Sequence, residues 1–429
     1  MSDIPNIICL EGVGEFCSDG LSFNVPFSLI QYPAETVIIA KINPEYKKYD
    51  KNWKLKGFLN TDKRPIECEH LLLSSNPISI LQRVQDWKFM SLNADIIIGN
   101  KLDKPIKEAY YPLVSYFEGV FSLTDDRWNI EVINPNSSEQ TKSIAKNWQI
   151  PIEGLTLHLS HPSATLEQYT EKAYQIARLL SLASGNEVTF HRQIILWNEG
   201  NEVEIWRRML GGEFGPRFCI LETYISDYLR EALSSWRTFS PQEQENIRIA
   251  TTYINLSANG YMDERLLRIT QAWEMLANAW GNQTKEVKDS AKDPIKELIT
   301  EVNDAYRKWK VKFSDKDKDG FLKSRINDAL NWDKVLKKIN LLANSYKINT
   351  QKIGLNFQQL IKARNDIAHD CKMSKAIRNN ADSPPYKLLI AGQFGLKILL
   401  LKKLGYSGKI VTSKNGRRTH EEISEYIIK

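Results

Sequence analysis

One change of hydrophobic period constrains this chain more than any other feature. Up to about Trp206 the apolar residues alternate or fall in short runs, and from about Phe218 they recur at helical spacing. Between the two lies Gly211-Gly212 followed by Gly215-Pro216, a natural place for a linker. A chain of 429 residues has room for two or three domains. The expectation is therefore α+β: a β-rich N-terminal domain over residues 1–210, an all-α helical domain over 217–405, and a basic arm or hairpin over 406–429.

In the first part, Ile7 to Phe16, Leu21 to Gln31, Thr36 to Ile42, Trp53 to Leu59 and Ile66 to Leu73 read as strands, punctuated by Gly20, Pro33 and Pro44. Further runs end near Leu159, and the whole suggests an antiparallel sandwich or barrel-like sheet. One helix interrupts it from Glu167 to Ala183, with Ser163 as the expected N-cap and Gly185 as the C-cap. Val188 to Trp197 and Val203 to Met209 read as a further hairpin.

In the second part the helices are expected over Phe218 to Trp236, then from Ser240-Pro241 to about Ser257, Met262 to Trp280, Pro294 to Lys310, and one or two between Ile326 and Tyr346. Another runs from about Ile353, and a strongly apolar one covers Leu388 to Leu404. The five cysteines are scattered, with no C-x-x-C, which points to free thiols in a reducing compartment. The N-terminus lacks a basic segment before an apolar run, and no stretch of about 18 apolar residues occurs, so a cytoplasmic protein without a membrane span is expected. The net charge of +6 permits an anionic partner.

The chemistry concentrates in Lys362 to Asp370, K-A-R-N-D-I-A-H-D. Arg364 has Leu360, Ile361, Ile367 and Ala368 as its helical neighbours, so it lies mid-way across an apolar stripe with no acid one turn away. A guanidinium there needs an anion from another element, another subunit or a ligand, and its planar fork suits a phosphate. His369 lies about 140° further round the helix. Asn365 and Asp366, one turn before it, can each hold a ring nitrogen and fix the tautomer. Glu274, amid apolar residues and without a cation one turn away, is the candidate partner for Arg364.

Other signals weigh less. Asp315 to Gly320 matches the first half of an EF-hand loop, but position twelve is Ile326 instead of a bidentate glutamate, so a solvated loop is expected. His158 and His161 would project to opposite faces of a strand, which with His191 makes a poor metal set. From Ser383 to His420 there is no Asp or Glu, and Lys397, Lys402 and Lys403 could line a path for RNA phosphates.

R-N-D-I-A-H resembles the R-x4-6-H signature of HEPN domains. Leu266 to Trp280 resembles the HEPN helix that carries a glutamate amid apolar residues, here Glu274. The order of these pieces after a long N-terminal region is similar to the ApeA-like group of bacterial anti-phage HEPN proteins. The resemblance implies an all-α, metal-independent endoribonuclease without a cofactor. It would act on RNA as a homodimer or higher homo-oligomer, with Arg364 and His369 catalytic and Asn365, Asp366 and Glu274 supporting. It also implies abortive infection as the setting, with the N-terminal domain answering a phage-derived trigger. From another class, the helical half could be a non-catalytic interaction or nucleotide-binding module with Arg364 as a structural ion.

Overall fold

The computed structural model describes residues 8–18, 20–31, 36–41, 52–73, 86–91, 95–100, 104–114, 119–133, 153–190, 192–198, 200, 202–206, 219–280, 294–312, 335–380, 384–414 and 417–428. The architecture is α+β, with an antiparallel sheet first and helices after it. Two compact units divide the chain, Met1–Arg230 and Glu231–Lys429. The linker expected at Gly211 to Pro216, the EF-hand-like loop and His191 lie outside the described residues.

The first unit is built on β1 (Ile8–Ser18), β2 (Leu21–Gln31), β3 (Thr36–Lys41), β4 (Trp53–Leu59), β5 (Pro65–Leu73) and β6 (Asp86–Ser91). These pair in the order β4-β1-β2-β3-β6-β5, and β5 pairs back onto β4 through Lys56↔Glu67 and Gly57↔Ile66. Six strands therefore close on themselves, which removes the unpaired edges that open sheets expose. Alternate residues fill the interior: Phe16, Phe27, Leu29, Ile38, Trp53, Leu55, Ile66 and Leu71 are all buried. Gly14 stands opposite Gly57 where β1 meets β4, and a Cβ on Gly57 would come within 2.4 Å of the Val13 carbonyl oxygen.

From β5 the sheet continues through β7 (Ile96–Ile98) to β14 (Glu202–Trp206), β13 (Arg192–Trp197), β8 (Ile106–Val114), β11 (Glu153–Ser160), β10 (Trp128–Ile133) and β9 (Phe121–Asp125), with β12 (Thr189–Phe190) beside β8. The helix Leu166–Ser184 contributes Tyr169, Ala173, Ile176, Ala177 and Leu180 to the core. Its cap is Thr165, not Ser163: Thr165 and Gln168 form a reciprocal capping box, while the Ser163 N–H donates to His161 Nδ1 at 3.1 Å. Gly185 closes the helix at φ 68°, as expected. Inside this unit Lys172 Nζ meets Asp125 Oδ2 at 2.7 Å, with both side chains less than one-tenth exposed.

In the chain's next stretch the expected helix from Phe218 begins later, at Ile225, because the N–H groups of Cys219 and Ile220 are tied to the Ala183 carbonyl. The second unit then holds helices Pro241–Leu256, Met262–Trp280, Pro294–Lys312, residues 335–345, Phe357–Asp370 and Pro385–Lys403. Ser240 caps the first with Pro241 behind it and a capping box to Glu243. The helix expected from Ile353 is broken in two. Gly354, left-handed at φ 73°, ends the turn Thr350–Ile353, and the Asn356 side chain accepts from Gln359 N–H to start Phe357–Asp370. Gly392 and Gly395 let the last helix approach its neighbours. A Cβ on Gly392 would lie 2.8 Å from Ile269 Cγ2, and Trp273 Nε1 donates to the Gly392 carbonyl at 3.1 Å. Strands β15 (Lys409–Lys414) and β16 (Arg417–Glu422) form a C-terminal hairpin.

Glu243 links the start of Pro241–Leu256 to the end of the last helix. Its Oε1 meets Lys403 Nζ at 2.8 Å, and Lys403 also lies over the Phe239 and Trp280 rings. Lys403 first, and the Ser240 N–H second, hold the Glu243 carboxyl down to about 2. The free side chain titrates near 4.3. Glu243 therefore contributes stability that is complete above that value and is lost as pH falls through about 2. Thermal melts of Glu243→Gln should show a deficit at pH 7 that closes toward pH 2; a deficit independent of pH would contradict this.

Candidate active site

The Arg364 helix buries Phe357, Leu360, Ile361, Ala363 and Ile367. It packs on Met262–Trp280, with the Phe357 and Trp273 rings 4.8 Å apart at 74°. Arg364 starts in the middle of this stripe, but its guanidinium reaches the edge, and its side chain is 34% exposed. The anion it needs comes from the neighbouring helix. Nε lies 3.3 Å from Glu274 Oε1, Nη2 donates to Glu274 Oε2 at 3.4 Å, and Nη1 donates to Asn365 Oδ1 at 2.9 Å. The Nε–H makes no hydrogen bond among the described residues, so the contact is a loose ion pair and not a bidentate fork. Two of the five guanidinium N–H groups are used, which leaves donors for a second anion. Burial pushes the Glu274 carboxyl up, and the Arg364 charge opposes that shift.

His369 sits in the last turn of the same helix and is exposed. Among the described residues no partner holds it. Asn365 accepts from Arg364, and Asp366 Oδ2 accepts the Ser374 N–H at 3.2 Å, which ties the helix to the turn that follows. The tautomer-fixing bonds expected from these two residues are therefore not formed within one chain. Cys371, left-handed at φ 56°, closes the helix. Arg364 and His369 diverge by about 140° around the axis. One chain brings Arg364, Asn365 and Glu274 together and leaves His369 pointing elsewhere.

The lysines of the last helix are placed differently from expectation. Lys403 is taken by Glu243 and two rings, and Lys402 Nζ donates to the Tyr346 carbonyl at 2.7 Å. Burial lowers the Lys402 pKa, with Lys347 adding to the effect. Lys397 is half-buried. The cause is the apolar circumference of Pro385–Lys403: with Leu388, Leu389, Leu396 and Ile398 to Leu401 all buried, the lysine heads find acceptors inside the unit. Lys402 and Lys403 thus brace the unit through bonds made inside it.

In the first unit His158 stands between two strands' carboxylates, with Nε2 3.1 Å from Glu108 Oε2 and Nδ1 3.2 Å from Glu131 Oε2, and stacks on Tyr110. His161 lies by Trp128. The two histidines do not converge, and no group of three or more ligating side chains suited to a metal occurs among the described residues.

Sequence reasoning passed over Asn246, Asn278 and Lys338. Asn278 lies one turn after Glu274 and accepts from Lys338 Nζ at 2.9 Å through its Oδ1. Its place on the Glu274 face was available as a signal; the contribution of Lys338, 60 residues away, was not. Comparison with protein-family models, curated proteins and solved structures finds no match. No helix among the described residues is long and apolar enough to cross a membrane.

Proposed function

We propose that the chain is a metal-independent endoribonuclease of HEPN type that acts as a homodimer or higher homo-oligomer. One observation carries this reading: a guanidinium anchored by a half-buried carboxylate yet retaining free donors, five residues before an exposed histidine that no group among the described residues engages. His369 follows the arginine on the same helix, on another side of its axis, where it is open to a substrate or to a second copy. In the reaction the 2′-hydroxyl attacks the adjacent phosphorus while His369 moves the proton. Arg364 stabilises the charge that grows on the non-bridging oxygens. The bond to the 5′-oxygen breaks, that oxygen leaves protonated, and the products carry 2′,3′-cyclic phosphate and 5′-hydroxyl ends. Because Arg364 and His369 diverge on one helix, the proposed cleft combines groups from two copies.

In this reading the enzyme works in the bacterial cytoplasm during abortive infection, and the β-rich unit answers a phage-derived trigger or restrains the nuclease. The rival reading, a non-catalytic interaction or nucleotide-binding module, draws on the same Arg364–Glu274 pair as a structural ion at a helix seam. Incubation with total bacterial RNA in EDTA, alone and in extract from phage-infected cells, separates them. Fragments ending in 2′,3′-cyclic phosphate support the nuclease, and intact RNA under both conditions supports the module.

A further inference from the structure

A cleft of about 640 Å³ lies between helices Pro241–Leu256 and Met262–Trp280, with Gln242, Glu243, Asn246, Met275, Asn278 and Trp280 in its walls. Its volume is in the range of small-molecule sites, about 300–1,000 Å³. It adjoins the Arg364–Glu274 pair, since Asn278 follows Glu274 by one turn, an axial rise of about 6 Å.

The polar atoms of the walls divide into used and unused. Glu243 is used: Oε1 binds Lys403 and Oε2 accepts from Ser240. The Asn278 amide has a fixed orientation, because its Oδ1 faces the Lys338 ammonium, a group that only donates. The Asn278 NH2 is left over. Asn246 is 6% exposed, and its Oδ1 accepts from Gln242 Nε2 at 3.2 Å. That leaves the Asn246 NH2 and the Gln242 Oε1. The unused amide set is thus two donor groups and one acceptor, with Met275 and the Trp280 ring as apolar walls; the Trp280 indole N–H is a further donor, buried and without a partner among the described residues. No free cation stands among these wall residues, and the ionised Glu243 disfavours an anion, so the matching ligand is neutral, flat and rich in carbonyl acceptors.

We propose that this cleft takes a uracil base of the RNA whose phosphate lies at Arg364. The carbonyl oxygens of such a base meet the amide donors of Asn246 and Asn278, and its ring N–H meets Gln242 Oε1. Cytosine, adenine and guanine each present an amino group on the same edge, where it would face another donor. The inference deepens the nuclease reading and rests on it for the identity of the ligand, but base binding is measurable without cleavage.

The test is calorimetric titration of UMP, GMP, CMP and AMP into the full chain as wild type, His369→Ala and Asn278→Leu. Position 278 is exposed, so its substitution leaves the core intact. Wild type and His369→Ala should bind UMP about tenfold more tightly than CMP, AMP and GMP, as expected when an unpaired donor is the penalty. Asn278→Leu should lose that preference. Equal affinity for the four nucleotides, absence of binding, or a preference that survives Asn278→Leu would each overturn the subsite. Because His369→Ala is included, a preference found without RNA cleavage would retain the subsite while removing the nuclease.

Discussion

Arg364→Ala is expected to lower RNA cleavage by about 100- to 1,000-fold, the usual effect of removing one charge-stabilising donor from an active site. It should also destabilise the helical unit, by about 1–3 kcal/mol, because Glu274 loses the cation that offsets its burial. The loss is smaller than for a fully buried pair because Arg364 is one-third exposed and water screens the charge. The stability loss has a definite pH dependence. The Glu274 carboxyl is already raised by burial, so its charged form is the costly one, and without Arg364 it rises further. The deficit should therefore be small in acid, where the carboxyl is protonated, and grow as pH rises from the ordinary carboxylate range toward neutrality. Arg364→Lys separates the two effects. A lysine can restore a positive charge near Glu274 but cannot supply a planar fork. Stability should largely return and cleavage should not. If cleavage returned in full, the arginine would be acting as a simple charge.

The second large effect is expected in the other unit. Lys172 and Asp125 join helix Leu166–Ser184 to β9 at 2.7 Å with little solvent on either side chain. Removing one partner of such a buried pair typically costs about 3–5 kcal/mol, since the survivor is left charged and desolvated. Asp125→Ala should therefore shift the urea unfolding transition of the β-rich unit strongly. Replacing both residues by apolar side chains of similar size should recover most of the loss. A single substitution without effect would mean that water reaches the pair.

The parts of the fold that depend on local pattern were legible in the sequence. Met262–Trp280 has the boundaries that its periodicity and Gly281 suggest, and Ser240-Pro241 caps the helix it was expected to cap. The Glu274–Arg364 pairing was also legible, because each residue lacked a counter-ion one turn away on its own helix. Local competition explains the nearer misses. Thr165 displaces Ser163 because Gln168 completes a capping box with it, and Gly354 with Asn356 breaks the helix that apolar spacing continues through.

The remaining differences arise from contacts distant in sequence. The return of β5 onto β4, which closes the six strands, has no signature in the alternation of either strand. Lys402 and Lys403 look like a basic surface until Tyr346 and Glu243 are brought to them from 56 and 160 residues away. The imidazole of His158 finds Glu108 across 50 residues for the same reason.

His369 is expected to do chemistry and not folding. The direct measurement is cleavage of total bacterial RNA in EDTA, in extract from phage-infected cells, by wild type and by His369→Ala matched for melting temperature and oligomeric state. Wild type should give cyclic-phosphate fragments, and the variant should lose cleavage by about 100- to 10,000-fold with unchanged melting. Equal cleavage by the two proteins would contradict it and move the chemistry away from this helix.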